Sequence, residues 1–166
     1  MKLADVEAIL RALNDANVRY LIVGGLAVVA HGYVRYTAAV DIVLDLEREN
    51  TLRAMKALEA IGYRPVVPVK AEQFADEELR ESWRQEKGMI VFQLFDSNRP
   101  DTRLDVFVNE PFDFDREFAA ARWEEVAGIR TPVLAVGTLI AMKRAVGRGQ
   151  DLIDVEQLLK LIENRK

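Results

Sequence analysis

Two aspartates stand inside apolar runs: Asp41 between Val40 and Ile42, and Asp105 between Leu104 and Val106. Burying a carboxylate among apolar side chains is costly unless it meets a partner or a cation. In alternating strands, such aspartates either face solvent on the polar side or converge on a divalent ion. A second feature is Gly24-Gly25, which follows the apolar run Tyr20-Leu21-Ile22-Val23 and precedes Leu26 to His31. A strand passing through two glycines into a helix brings bare backbone N–H groups and a positive helix end to one point, a geometry suited to phosphate. Read alone, the pair is a tight turn. Neither GxGxxG nor GxxxxGK[ST] occurs, which disfavours a Rossmann cofactor site and a P-loop. The third feature is the run from Leu139 to Asp154, with Lys143, Arg144 and Arg148 near the end of one helix, and Asp151 and Asp154 at the start of the next. Cations at a helix C-terminus and Asp151 as an N-cap follow from capping and the helix dipole alone. Combined with the two acidic strands, the run reads as a phosphate-binding surface.

The elements that must position these residues fit one domain. The chain has 166 residues, half of them hydrophobic and 30% charged, a composition that excludes disorder, collagen-like repetition and a coiled coil. Its formal net charge of −4 argues against a protein coated all over for nucleic acid, while leaving room for a basic patch around Lys143, Arg144 and Arg148. No cysteine is present, so disulfides, thiolate metal sites and cysteine nucleophiles are excluded, and a reducing cytoplasm is the expected setting. The N-terminal residues alternate charged and apolar types, unlike a signal peptide. The longest apolar stretch, Leu21 to Ala30, falls short of the roughly 20 residues needed to span a bilayer, so no membrane anchor is expected.

Apolar periodicity predicts a helix over 2–16, a strand at 20–23, a short helix at 26–31, a strand at 40–44 and a helix from Asn50 or Thr51 to Ile61. Residues 63–69 read as an edge strand because of Pro65 and Pro68. The charged stretch 71–86 reads as one solvent-facing helix. Strands at 89–95 and 103–108 suggest a hairpin, 122–126 and 129–131 pair around Ala127-Gly128, and helices follow near 135–146 and 151–164. The expected class is α/β or α+β: a mixed sheet flanked by helices, with a core over 1–132 and a helical pair over 133–166 packed on it. His31 is expected to complete a hydrogen-bonded turn before Gly32, and Trp83 and Trp123 to serve packing.

Taken in series, Val23-Gly24-Gly25, Ala30-His31-Gly32-Tyr33-Val34-Arg35-Tyr36-Thr37 and Val40-Asp41-Ile42-Val43-Leu44 resemble the N-terminal signature of the nucleotidyltransferase fold of the DNA polymerase β superfamily. More narrowly, the chain resembles the AbiEii/AbiGii-type toxin nucleotidyltransferases, a likeness to which Trp83–Val108 and Leu139–Asp154 add. The resemblance implies a glycine turn, here Gly24 and Gly25, holding nucleotide phosphates, and an acid-x-acid strand with a third carboxylate from a neighbouring strand. Two Mg²⁺ ions about 3.5–4 Å apart would sit on these acids. It assigns Asp41 and Asp105 to metal and catalysis, Lys143 to the triphosphate, Arg35 and Thr37 to the phosphate border, and Arg148, Asp151 and Asp154 to supporting roles.

The first acid of that pattern falls at position 39, which is Ala39. A methyl group cannot ligate a cation. Asp45 lies roughly 13 Å further along the strand and is expected to face solvent, and Glu47 is no better placed. Loss of one such group implies at least about a 10²-fold fall in rate. The resemblance therefore implies an Mg²⁺-dependent protein of the type that transfers NMP from an NTP to an RNA, such as a tRNA end, or to a protein hydroxyl, inactivated or impaired by Ala39. The alternatives are a non-catalytic nucleotide-binding module, including one half of a toxin–antitoxin pair, and a small-molecule nucleotidyltransferase of the antibiotic-modifying type.

Overall fold

The computed structural model describes residues 1–165; Lys166, the last residue of the expected helical pair, lies outside the described residues. In chain order the elements are α1 (Leu3–Asp15), β1 (Tyr20–Val23), α2 (Gly24–Ala30), β2 (Ala39–Leu44), α3 (Arg48–Ala60) and β3 (Arg64–Pro65). A 3-10 turn at Ala71–Ala75 follows, then α4 (Glu77–Lys87), β4 (Val91–Phe95), β5 (Arg103–Phe107), α5 (Phe114–Ala119), β6 (Arg122–Val126), β7 (Ile129–Val133), α6 (Val136–Val146) and α7 (Gly149–Asn164).

The strands form one mixed sheet in the order β3-β4-β5-β2-β1-β7-β6. β2 runs parallel to β5 and β1 parallel to β7, while the remaining neighbours are antiparallel. All four residues of β1 are buried, as its unbroken apolar run requires of a central strand covered on both faces. The helices form two contact groups: α1 packs on α3, and α3 on the 3-10 turn, whereas α2 packs on β1, β2 and α6, and α6 on α7. Among the described residues no helix is long and apolar enough to cross a membrane.

Several boundaries differ from the sequence reading, each for a local reason. The stretch 71–86 is not one helix. It breaks at Asp76, whose side chain caps α4 by accepting from the Leu79 N–H. The 3-10 turn before it drives Phe74 into the core, where Phe92 stacks at 4.8 Å from Phe74 and 5.5 Å from Trp83. Trp83 is thus a packing residue, as expected; Trp123 is partly exposed and meets Phe118 edge-on. α3 is capped by Glu47, which accepts from the N–H groups of Glu49 and Asn50. Asn50 itself is buried, and its amide ties the Arg19 backbone to the Asp45 carbonyl. Within 63–69 the strand is reduced to Arg64 and Pro65 beside β4 at the sheet margin, continued by one bond from the Val66 N–H to the Gln93 carbonyl. The six-residue α5, capped by Asp113, is too short to leave a periodic signal. α7 begins at Gly149, and Asp151 is its third residue; its carboxylate accepts from the Arg148 N–H at 3.2 Å.

Candidate active site

Register decides which side chains meet. Between parallel β2 and β5, Asp41 stands opposite Asp105 and Ala39 opposite Arg103. Residues two apart in a strand point to the same side, roughly 6.5–7 Å from one another. All four line a single cleft of about 570 Å³, together with Gly24, Gly25, Arg35, Thr37, Lys143, Arg148 and Asp151. The antiparallel pairing of β1 with β2 places Val23 across from Asp41, so the chain turns at Gly24 directly over the carboxylate. Gly24 has φ +64°, and a Cβ there would collide with the Asp41 carboxylate. A Cβ on Gly25 would lie 2.6 Å from Thr37 Oγ1. The glycine pair is therefore required by close approach as well as by the turn.

Beneath the cleft, Asp154 of α7 is completely buried and fully engaged. It accepts from Arg35 Nε on Oδ1 and Arg35 Nη2 on Oδ2, both at 2.8 Å, from Gln150 Nε2 at 2.9 Å, and pairs with Lys143 Nζ at 2.9 Å. Asp151 receives Lys143 Nζ at 3.3 Å and Arg148 Nε at 2.8 Å. Burial alone would raise the pKa of either carboxyl. Hydrogen bonds from Arg148 and Lys143 on Asp151, and from Arg35, Lys143 and Gln150 on Asp154, outweigh it and hold both below the ordinary carboxylate range. Arg35 and Lys143 are consequently fixed in place by counter-charges before any ligand arrives.

The opposite holds for the facing aspartates. Burial, then repulsion from Asp105, pushes Asp41 up to about 7, against the pull of Lys143 and Arg103. Asp105 is 6% exposed, and its Oδ1 is buried with no hydrogen-bond partner. Arg103 Nε approaches that atom only to 3.4 Å. Two crowded carboxylates facing one cleft, with Asp105 held only by a long ion pair to Arg103, are oxygen donors suited to a cation.

Solved structures share this architecture at low sequence identity. The lincosamide antibiotic adenylyltransferase LnuA, lincomycin-bound, gives a TM-score of 0.63 at 15% identity, covering 95% of this chain and 96% of its own. ANT(2″)-Ia in complex with adenylyl-2″-tobramycin gives 0.60 at 16%, over 94% and 86% of the two chains. The solution structure of the antibiotic-resistance factor ANT(2″)-Ia gives 0.58 at 18%, over 98% and 91%. The chain has a nucleotidyltransferase fold. No protein-family model and no curated protein matches the sequence.

On this nucleotidyltransferase fold, the sequence-derived candidates Gly24, Gly25, Arg35, Thr37, Ala39, Asp41, Asp105, Lys143, Arg148 and Asp151 border one cleft, and Asp154 underlies it. Arg144 does not line it. Asp45 does not simply face solvent: it accepts from Arg19 Nε at 3.0 Å, away from the cleft. His31 also lies elsewhere. Its Nε2 donates to the Leu134 carbonyl at 2.7 Å, and burial lowers its pKa, so it is a neutral structural imidazole. Sequence reasoning missed Arg103 and an apolar wall that includes Ile90, Phe107, Met142 and Val146. The signal for Arg103 was available: it precedes Asp105 by two positions in the same strand.

The donor set tests which ion the nucleotidyltransferase fold would hold here. Among the described residues no group of three or more His, Asp or Glu is placed to hold a metal. Two carboxylates suffice for one Mg²⁺, which takes one or two carboxylates and completes its shell with water and phosphate. Asp41 and Asp105 thus fit a single divalent ion.

A pH prediction follows from the crowding. A carboxyl whose folded pKa lies above its unfolded value contributes stability at low pH and loses it as pH rises through the folded value. Between about pH 5.5 and pH 8, the metal-free protein should therefore lose melting temperature through Asp41. Mg²⁺ should raise the melting temperature more at pH 8 than at pH 5.5. Asp41→Asn should melt above the native chain in EDTA at pH 8 and respond little to Mg²⁺. Thermal melts at both pH values, with and without Mg²⁺, check this; a cation effect independent of pH would contradict it.

Proposed function

We propose that the chain binds a nucleoside triphosphate with one Mg²⁺ in the cleft and transfers its nucleotidyl group to a hydroxyl of a small molecule, at a rate held down by Ala39. The observation that carries this reading is the meeting of Asp41 and Asp105 across β2 and β5, directly under the Gly24 turn. In the reaction the acceptor oxygen bonds to the α-phosphorus, the bond from that phosphorus to the bridging oxygen breaks, and pyrophosphate leaves with the bond's electrons. The hydroxyl proton passes to the Asp105 carboxylate, which lines the cleft opposite Asp41. Asp41 and Asp105 would hold the Mg²⁺, which would supply Lewis-acid polarisation to the phosphates and lower the pKa of the acceptor hydroxyl. The Gly24-Gly25 turn brings the start of α2 to the cleft, where its backbone N–H groups suit a phosphate, and Lys143 and Arg35, held by Asp154, supply fixed positive charge without reorganising.

A small acceptor is favoured over an RNA end or a protein for two reasons. The cleft volume falls within the range of small-molecule pockets, roughly 300–1,000 Å³. Its rim carries exposed apolar side chains, Ile90 and Val146, which suit a small organic acceptor better than a phosphate backbone. The solved structures of similar fold carry lincomycin and adenylylated tobramycin, which supports the same class. A nucleotide-binding module without transfer, whether or not one half of a toxin–antitoxin pair, is the second reading, and Ala39 is the observation that favours it.

The reading is tested by equilibrium binding of fluorescent ATP, GTP, CTP and UTP analogues with and without Mg²⁺, using the native chain and Gly24→Val. Saturable, Mg²⁺-dependent binding of at least one triphosphate is expected, weakened about tenfold or more by Gly24→Val, which forces a side chain onto the Asp41 carboxylate. No Mg²⁺-dependent binding by the folded native chain would overturn it.

A further inference from the structure

The cleft-facing positions of β2 and β5 form a square, with Ala39 opposite Arg103 and Asp41 opposite Asp105. Three corners carry charge and the fourth is a methyl group. A second divalent ion beside the first would need a further oxygen donor at that empty corner, and the nearby acids are committed elsewhere: Asp45 to Arg19, and Glu47 to the start of α3. The square instead holds a permanent cation.

Arg103 differs from the other cations of the cleft. Arg35 and Lys143 are anchored by Asp154, and Arg148 is tied to Asp151. The Arg103 side chain is 49% exposed and pairs with Asp105 only through one long ion contact, Nε to Oδ1 at 3.4 Å. Among the described residues its guanidinium makes no side-chain hydrogen bond, so its terminal nitrogens remain available. A guanidinium presents five N–H donors in a planar fork that matches two phosphate oxygens at once. The methyl group across from it at position 39 adds no second carboxylate to compete with Asp105 for it.

We propose that Arg103 contacts the triphosphate from this corner, so that the centre works with one divalent ion and one guanidinium in place of two ions. The inference rests on the nucleotide reading above and adds the residue that completes the charge around the phosphates. Arg103 makes and breaks no covalent bond; it is a fixed positive charge and a pair of donors, held in place as negative charge shifts toward the leaving pyrophosphate. The competing role is a purely internal one, in which Arg103 only orients Asp105.

The two roles predict opposite signs. The probes are Mn²⁺, counted by electron paramagnetic resonance, and α,β-methylene-ATP, whose α–β linkage cannot be cleaved. The native chain should bind one Mn²⁺ in the presence of the analogue. Arg103→Met should weaken the analogue about tenfold or more, yet bind Mn²⁺ alone more tightly, because a cation beside two carboxylates has been removed. Arg103→Lys should recover part of the analogue affinity. Two Mn²⁺ per native chain would overturn the inference and leave the nucleotide reading standing. So would an Arg103→Met variant that loses Mn²⁺ affinity and keeps analogue affinity. Failure of the native chain to bind any triphosphate would overturn both.

Discussion

Replacing Asp154 with alanine is expected to cost about 3–5 kcal/mol of folding stability, the range seen when one member of a buried ion pair is removed and its partners remain. Asp154 has no exposed surface and serves three donors: a bidentate Arg35, Lys143 and Gln150. Truncation leaves the Arg35 guanidinium and the Lys143 ammonium partly buried beside each other, with only Asp151 left to answer Lys143. The pair joins the loop before β2 to the C-terminal helix, so its loss also uncouples two distant segments that frame the cleft. Asp154→Asn should cost less, since the amide oxygen still accepts from one donor while the charge is gone. Urea denaturation of the two variants checks the order; a cost below about 1 kcal/mol for alanine would mean that the three donors find other partners.

On the proposed nucleotidyl-transfer reading, placing a carboxylate at position 39 is expected to raise transfer roughly 10²-fold, the magnitude associated with a single group that stabilises a transition state. Ala39 is nearly buried, points into the same cleft as Asp41, and sits across from Arg103. In Ala39→Asp the new side chain adds an oxygen donor beside Asp41 and Asp105, so that a second divalent ion could take over the charge proposed for Arg103, which the new carboxylate would draw away from the triphosphate. The same change crowds a third negative charge against Asp41 and Asp105, so the variant should depend more strongly on Mg²⁺ for stability than the native chain. Transfer of label from an α-labelled NTP to a panel of hydroxylated small molecules, followed for both chains, measures the gain. An unchanged rate, with triphosphate binding intact, would place the limit outside position 39.

Much of this site was legible before any coordinates. An aspartate flanked by Val40 and Ile42, and another by Leu104 and Val106, can only be understood as in-facing or out-facing members of alternating strands, and the Gly24-Gly25 pair marked where the first strand had to turn. What local pattern cannot supply is register between strands far apart in the chain. The pairing of β2 with β5 is what sets Asp41 against Asp105 and makes Arg103 the neighbour of Ala39. The same limit hid the state of Lys143. Lys143, which the resemblance assigned to a triphosphate, is enclosed by Asp151 and Asp154 as α7 folds back on α6. Local competition accounts for the shifted boundaries. Glu47 captures the first N–H groups of α3, which frees Asn50 to bridge two backbone segments, and Asp76 divides a charged stretch that periodicity alone would run together.

The margins of the sheet have a consequence for how the protein behaves in company. An unpaired strand edge is a template onto which another molecule can add its own backbone, and long flat edges seed fibrils. Here one outermost strand is only two residues long and ends in Pro65, which has no N–H to offer. The other, β6, carries Arg122, Glu124 and Glu125 around a single large ring, so an incoming apolar strand would have to strip water from several charges. Both borders thus discourage polymerisation, and the molecule should stay dispersed at concentrations where a smoother seven-stranded sheet would begin to stack.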